Sequence, residues 1–250
     1  MKKAIPLLLL LAVLTQCNYQ KYRYSFFEGN WVLLNYLDTV QKYRSVAKAN
    51  HMPMQEIFLK RYTDTAYFLT NGWETSAYPF TNQTSNQIVL QHFPSPTGDT
   101  TLSVFINEYA FYLSYDLNSA RQVFVKPVSL LVDEYGGAPW PTSTQRVINS
   151  LVLGGIYRME GSNIPVQFYT HGQITGWPLF DYYQTCVGGD CRSFYEGDVV
   201  YLSKNNQGDY YTWEWNNKLL TLYRLAKISG PDEKPVYKKD KSIVTLTKLK

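Results

Sequence analysis

Three histidines, His51, His92 and His171, could supply general-base or metal-binding chemistry, but they lie far apart in the sequence. None belongs to a metal-binding or nucleophile motif, and the chain contains no GxSxG, HExxH or phosphate-loop pattern. His171 lies in FYTHGQITG, where Gly172 and Gly176 permit close backbone approach. A neighbouring hydroxyl or carbonyl group would satisfy a strand histidine of this kind, and we keep His171 as a candidate ligand contact.

Four carboxylates lie within a short span: Asp181, Asp190, Glu196 and Asp198. A glycosidase needs a pair of carboxylates on either side of the scissile bond. However, Gly189-Asp190 and Gly197-Asp198 are typical turn sequences. The sequence therefore predicts no enzyme, with no catalytic residues, no metal and no cofactor.

Aromatic side chains are the stronger candidates for binding. Several lie in Gly- or Pro-containing stretches without clean alternation, namely Trp73, Tyr78, Trp140, Trp177, Tyr182 and Tyr183. Loop aromatics without a core period can be exposed and contact a ligand. The alternative is that these rings anchor loops and plug the end of a barrel. Trp73, Trp140, His171, Trp177, Tyr182 and Tyr183 are our candidate ligand-binding residues.

The first 16 residues have the pattern of an export signal. Met1-Lys2-Lys3 supplies a positive start and residues 4–14 an apolar core that is shorter than the roughly 20 residues of a membrane span. Leu14-Thr15-Gln16-Cys17 resembles the lipobox of bacterial lipoproteins, in the looser form found in Bacteroidetes-like lipoproteins. The resemblance implies a lipid on Cys17 and a membrane-anchored chain. The alternative is an ordinary signal peptide that is cut nearby.

Two cysteines remain after Cys17, and both lie in TCVGGDCRS. The intervening Val-Gly-Gly-Asp can turn tightly, and an exported chain meets oxidising conditions, so we predict a disulfide between Cys186 and Cys191. A zinc site is the competing interpretation, but no histidine lies at a suitable spacing.

Composition and charge favour a folded β protein without a nucleic-acid partner. Apolar residues make up 45% of the chain and aromatics 16%, with 22 tyrosines, which excludes a disordered chain. Tyr, Phe, Trp, Val and Ile suit the half-buried surface of a strand. The 24 Lys and Arg nearly balance the 20 Asp and Glu, and the lysines concentrate only in the tail.

Strand-like runs with turn residues between them are predicted at residues 31–35, 55–62, 65–70, 86–93, 101–107, 109–117, 121–128, 151–159, 165–176, 197–204, 208–216 and 218–228. Two tight hairpins are predicted, at residues 204–208 and 215–218. Residues 36–50 have helical spacing through Leu37, Val40, Tyr43 and Ala47, and could cover a barrel mouth or pack outside the sheet. A second segment from Arg146 fits either a helix or a strand.

The fold prediction is an antiparallel up-and-down β-barrel with one or two short helices, and the alternative is a β-sandwich. Gly29-Asn30-Trp31 and an arginine on the final strand, Arg224, resemble the first and last sequence marks of the lipocalins. The resemblance implies an eight-stranded barrel around a small apolar ligand, with Gly29, Trp31 and Arg224 as structural residues at its base. Arg224 would then stack on Trp31 if the last strand paired with the first. The middle lipocalin mark is missing, and the chain is longer by several strands.

The predicted domains are a signal peptide (1–16), a lipidated tether (17–25), a lipocalin-like barrel (26–230) and a basic tail (231–250) that could add an edge strand. The predicted function is binding of a small apolar or amphipathic ligand by an envelope-anchored lipoprotein. Asn18, which is not the Asp that favours inner-membrane retention, favours the outer membrane. The alternatives are a surface lipoprotein that binds carbohydrate through Trp and Tyr, and a structural subunit of an envelope complex. The sequence predicts no oligomeric state.

Overall fold

The computed structural model describes residues 29–49, 56–59, 64–70, 74–84, 87–95, 98–107, 112–117, 120–126, 143–187 and 193–249. Several residues singled out by the sequence lie outside these ranges: Cys17, His51, Trp73, Trp140, Asp190 and Cys191. The described part is mostly antiparallel β-structure with two α-helices, which confirms the predicted fold class.

Sixteen strands and two α-helices are described. The first eight strands are β1 (Gly29–Leu33), β2 (Glu56–Leu59), β3 (Thr65–Thr70), β4 (Glu74–Thr84), β5 (Gln87–Ser95), β6 (Gly98–Asn107), β7 (Tyr112–Leu117) and β8 (Ala120–Val125). The others are β9 (Gly155–Met159), β10 (Val166–Phe168), β11 (Ile174–Thr175), β12 (Tyr182–Thr185), β13 (Val200–Lys204), β14 (Gln207–Asn216), β15 (Leu219–Lys227) and β16 (Tyr237–Lys248). The helices are α1 (Leu34–Tyr43) and α2 (Ser143–Val152), and a short 3-10 helix covers Ala47–Ala49.

Strands β1 to β8 form a closed barrel in chain order. The pairs from β4 to β8 are antiparallel neighbours along the chain, which is the arrangement of an up-and-down barrel. Closure leaves no unpaired edge, so the barrel does not need a second sheet to cover it. The lipocalin-like barrel is therefore the observed architecture of this region, and the β-sandwich alternative is not.

Strands β9 to β16 form a second antiparallel sheet, in the order β11-β10-β9-β16-β15-β14-β13-β12. In chain order, the first of these strands, β9, pairs with the last, β16. The two outer strands approach at a single bridge between Gln173 and Tyr182, with backbone bonds Ile174 N to Asp181 O (2.8 Å) and Tyr183 N to Gly172 O (2.7 Å). The second sheet is thus a nearly closed eight-stranded barrel of the same up-and-down type.

The chain divides into two compact units, whereas the sequence predicted one barrel over residues 26–230. The first unit includes residues 56–68 and 75–126, and the second includes residues 32–55 and 127–250. The basic tail does form a strand, β16, but β16 lies between β15 and β9 in the interior of the second sheet and not at an edge. The tail therefore completes the second barrel.

Both predicted hairpins are present in the second sheet. Lys204 pairs with Gln207 across Asn205 and Asn206, which have positive φ angles of 52° and 63°. Two successive left-handed residues make the turn whose twist matches antiparallel strands, and asparagine tolerates that conformation. The β14–β15 turn similarly has Asn217 at φ 54°.

Helix α1 buries Tyr36, Leu37 and Val40, as its predicted apolar spacing requires, but Tyr43 is 46% exposed. The helix ends at Arg44, whose backbone is left-handed and whose N–H bonds to the carbonyl of Val40. This is a common C-terminal cap geometry, although glycine usually occupies the position.

The segment from Arg146, for which the sequence allowed a helix or a strand, is helical and belongs to α2. It buries polar as well as apolar side chains. Gln145 Nε2 donates to Thr185 O (2.8 Å) and to Asn149 Oδ1 (3.0 Å), and Asn149 Nδ2 donates to Thr170 O (2.8 Å). These bonds replace the water that the buried amides lose on folding. Neither this helix nor any other in the described ranges is long and apolar enough to cross a membrane.

Candidate functional site

The histidines and carboxylates do not converge in the described residues. His92 is exposed and faces Asp99 at 3.4 Å, whereas His171 lies in the second unit, where its ring nitrogen is 3.2 Å from Gln173 Oε1. Asp198 accepts a bond from the backbone of Ala47 (2.8 Å), and Asp181 accepts one from the backbone of Asn205 (3.2 Å). No group of three or more potential metal ligands occurs among the residues that the structure describes.

Four predicted ligand contacts lie in one region of the second barrel, namely His171, Trp177, Tyr182 and Tyr183, and two of them belong to its core. Trp177 is only 6% exposed and packs edge-to-face on Phe180, with ring centroids 4.8 Å apart. Tyr183 is fully buried, and its hydroxyl donates to the carbonyl of Tyr169 (2.7 Å). Neither ring is available as an exposed sugar platform.

Gly172 permits a close approach between its own backbone and the residues Tyr182 and Tyr183. Gly172 has a φ angle of 98°, and an added Cβ would lie 2.7 Å from the ring of Tyr182 and 2.7 Å from the carbonyl of Tyr183. Glycine is therefore needed for both its conformation and its small size. The half-buried Tyr182 lies against this backbone, and the half-buried His171 packs beside Tyr169 at 5.3 Å.

Trp31 is buried, as expected of a barrel-base residue, but the prediction that it stacks with Arg224 is wrong. Trp31 lies on β1 of the first barrel, and Arg224 lies on β15 of the other sheet. The side chain of Arg224 is 52% exposed and pairs with Asp209 at 2.6 Å. The pairing of β15 with β16 shifts register on both sides of Tyr223, and beyond it Leu225 is buried whereas Arg224 is exposed. The pairing of β15 with β14 stays regular through this stretch, with Arg224 opposite Tyr211.

The cation on Trp31 is instead Lys126, which directly follows β8. Its Nζ lies 4.9 Å from the centre of the Trp31 ring. Because β8 is the last strand of the first barrel, the predicted type of contact is present with a different residue. Gly29 opens β1 with a φ angle of 109°, and an added Cβ would meet nothing within 4 Å, so its glycine character follows from conformation alone.

The second barrel also has a glycine and an aromatic residue at its first strand and a lysine near that ring, which the sequence analysis did not predict. Gly155-Ile156-Tyr157 opens β9 as Gly29-Asn30-Trp31 opens β1, and Gly155 also has a positive φ angle, 142°. Lys248, at the end of the last strand, lies 5.9 Å from the ring centre of Tyr157. The repeated Gly-x-aromatic spacing is the sequence feature that could have indicated a second barrel.

Trp215 is the centre of a basic and aromatic cluster in the second unit. The Arg44 guanidinium lies 4.2 Å from the centre of its ring, and the Lys248 ammonium lies 5.7 Å from it. We call Arg44, Lys248, Trp215 and Tyr157 the Trp215 cluster. Burial lowers the pKa of Lys248, and the charge of Arg44 lowers it further.

Three donors of this cluster bind the carbonyls at the end of α2. Trp215 Nε1 donates to Val152 O (3.0 Å), the Tyr157 hydroxyl to Leu153 O (2.5 Å), and Lys248 Nζ to Gly154 O (2.8 Å). The last carbonyls of a helix lack intrahelical partners and carry partial negative charge, which favours a cation there. Burial raises the pKa of Tyr157, so its hydroxyl remains a donor.

The first unit contains a separate cluster of aromatic rings. Phe68 contacts Tyr78 (5.4 Å between ring centroids), Phe93 (5.7 Å) and Tyr115 (6.4 Å), and Tyr115 stacks on Phe124 at 5.5 Å. All except Tyr78 are at most 2% exposed. Tyr78 is half-buried, so the cluster extends from the core to solvent. We call these five residues the barrel aromatic cluster.

A third group of rings lies on the outer side of the second sheet. Phe194, Tyr201, Tyr210 and Tyr237 are half-buried, with neighbouring centroids 4.9 to 5.8 Å apart. Tyr201 and Tyr210 are direct partners across β13 and β14 and alternate with the buried Val200, Leu202 and Tyr211. We call this group the outer tyrosine face.

Of the two cysteines of the predicted disulfide, Cys186 lies in the described ranges and Cys191 lies outside them. Cys186 directly follows β12, and its backbone N–H donates to Val199 O (2.8 Å). Its pairing with Cys191 therefore stays a prediction.

No protein-family model matches the chain, and no curated protein or solved structure matches it either.

Proposed function

We propose that the protein is an envelope-anchored lipoprotein that binds a small apolar or amphipathic molecule in its first barrel, without catalysis. The barrel aromatic cluster is the observation that carries this proposal. An eight-stranded barrel is just wide enough to be filled by side chains or to hold one small ligand. Ligand sites are mostly apolar and aromatic, with few polar groups.

The two tyrosine hydroxyl groups of this cluster are compatible with an apolar ligand. Burial raises the pKa of Tyr115, so its hydroxyl stays uncharged. Tyr78 reaches solvent and contacts both Phe68 and Phe93, at 5.4 and 5.0 Å. A molecule that enters beside Tyr78 would therefore meet ring surfaces from the solvent edge inward.

Titration with the uncharged fluorophore N-phenyl-1-naphthylamine tests this site. We expect saturable binding that Tyr78→Asp weakens at least tenfold, because a carboxylate at the edge of the cluster must be desolvated by an apolar ligand. Tyr67→Asp is the matched control, since Tyr67 is also half-buried on the neighbouring β3 but packs on Phe58 (6.2 Å) outside the cluster. Equal affinity in the wild type and both variants would place the fluorophore elsewhere.

The anchor is supported by the Leu14-Thr15-Gln16-Cys17 pattern. Cys17→Ala should abolish acyl labelling and move the protein out of the membrane fraction. Gln16→Ala, which restores a small residue before the cysteine, should leave both unchanged. Labelling that persists in Cys17→Ala would rule out this anchor, and fractionation with the outer membrane would support the proposed destination.

Carbohydrate binding is the second candidate, and the outer tyrosine face favours it. Beside this group Lys239 pairs with Glu214, and such a balanced pair of charges suits an uncharged ligand rich in hydroxyl groups. Retention on neutral polysaccharide columns should fall in Tyr201→Ala and Tyr237→Ala but not in Tyr43→Ala, which alters an exposed tyrosine elsewhere in the unit. Absence of retention in the wild type would remove this candidate.

A further inference from the structure

The Trp215 cluster places two positive charges beside one indole ring in the second unit. Both lie within 6 Å of the same ring centre, which limits their separation to about 10 Å. Like charges at such a distance repel each other, and partial burial increases the repulsion. The effect of Arg44 on the pKa of Lys248 reflects this proximity.

No carboxylate balances these charges in the described ranges. Neither Arg44 nor Lys248 takes part in the ion pairs seen between described side chains, such as Arg224 with Asp209 and Lys239 with Glu214. Instead, Lys248 donates to the carbonyl of Gly154 and Arg44 Nη1 lies 3.5 Å from the carbonyl of Asn217. An ammonium group has three N–H donors and a guanidinium group has five, so both cations retain donors for another acceptor.

The end of α2 accounts for Lys248 but not for Arg44, whose side chain contacts Trp215 and the carbonyl of Asn217 within the part of the chain that the structure describes. The backbone of Arg44 is fixed from two sides, since its N–H caps α1 and its carbonyl accepts from Trp213 Nε1 (3.0 Å). Its φ angle of 47° is one that few residues other than glycine adopt. The Arg44 side chain therefore extends toward Trp215 from a fixed point of the backbone.

We infer that the Trp215 cluster binds an anionic group, a carboxylate or a phosphate, between the Arg44 guanidinium and the Lys248 ammonium. Charge-assisted bonds from arginine and lysine to such oxygens are among the strongest hydrogen bonds in proteins. The half-buried ring of Trp215 would contact the organic part of the ligand, whereas the completely buried Tyr157 supports the cluster from the core. This site lies in the second unit, so it does not depend on the apolar ligand proposed for the first.

Calorimetric titration of the full mature chain, kept in an uncharged detergent, tests the site with three probes: inorganic phosphate, octanoate and dihexanoyl phosphatidic acid. We expect saturable one-site binding of at least one probe that weakens as salt is added. Binding of inorganic phosphate would assign a free phosphate, binding of the phosphatidic acid alone a lipid head group, and binding of octanoate alone a carboxylate.

Variants separate this site from general surface charge. Arg44→Gln and Lys248→Gln should each weaken binding at least tenfold, whereas Arg44→Lys should retain most of it because the charge remains. Lys227→Gln, which removes an exposed lysine on β15 outside the cluster, should have no effect. Thermal melts check that each variant is folded, and Arg44→Gln carries the test if Lys248→Gln loosens the end of α2. The inference is overturned if none of the three probes binds, or if Arg44→Gln binds as the wild type does.

Discussion

At the scale of single residues, a cation lies near an aromatic ring in each barrel, where the first and last strands in chain order meet. Lys126 lies over Trp31 where β8 ends, and Lys248 lies near Tyr157 where β16 ends. The sequence suggested this type of contact for Trp31 but assigned it to Arg224. The assignment failed because Arg224 lies on β15 of the other sheet, where it is exposed and pairs with Asp209, and the alternation of residues does not show which sheet a strand joins.

Lys248 should titrate below the usual pKa of lysine. Its folded-state pKa is lowered by burial and by Arg44, so the unfolded chain binds more protons between that pKa and the ordinary value of 10.5. The contribution of Lys248 to the free energy of unfolding therefore increases as the pH rises through this window. Arg44→Gln should raise the pKa of Lys248, which NMR titration of its side chain measures. An unchanged value would mean that Arg44 does not act on Lys248.

Trp31→Ala should lower the free energy of unfolding by about 3 to 5 kcal/mol, the range for removal of a large buried aromatic. Trp31 is completely buried, so the ring leaves a cavity. Lys126→Met removes the cation but keeps much of the aliphatic stem, and should cost about 0.5 to 1 kcal/mol. Chemical denaturation measures both changes. A Trp31→Ala variant as stable as the wild type would contradict the packing described for β1.

At the scale of elements, alternation identified strands better than it identified their partners. β3 and the β13–β15 meander lie close to the predicted runs, because their buried and exposed residues alternate and asparagine-rich turns separate them. β4 was missed because Pro79 interrupts a polar sequence, and proline donates no ladder bond. β12 was missed because Tyr182 and Tyr183 were assigned to a loop.

Two glycines with nearly equal φ angles separate conformational strain from steric contact. Gly176 has φ 76° and an added Cβ would lie 2.0 Å from the carbonyl oxygen of Pro165, whereas Gly161 has φ 75° and open space around it. Gly161→Ala should cost about 1 kcal/mol for the left-handed conformation alone. Gly176→Ala should cost at least about 2 kcal/mol more, because the backbone near Pro165 must move. Thermal and urea denaturation of both variants measure the difference, and equal losses would contradict the close approach.

At the scale of the whole molecule, the division into two barrels was not predictable from the strand pattern. Sixteen similar antiparallel strands with short connections are compatible with one barrel, two barrels or a sandwich, because pairing between distant strands has no local signature. The repeated Gly-x-aromatic opening at Gly29 and Gly155 was the informative feature. The candidate sites were predictable only in kind: aromatic and basic residues carry them, but most of those chosen from loops are core residues or lie outside the described ranges.

Native mass spectrometry of the protein after mild extraction from its membranes tests the central proposal most directly. We predict one apolar or amphipathic molecule bound per chain, retained in Tyr67→Asp and lost in Tyr78→Asp. Arg44→Gln should retain it as well, because Arg44 belongs to the second unit and to a separate site. A wild-type chain that carries no such molecule and shows no saturable binding of N-phenyl-1-naphthylamine would contradict ligand binding by the first barrel.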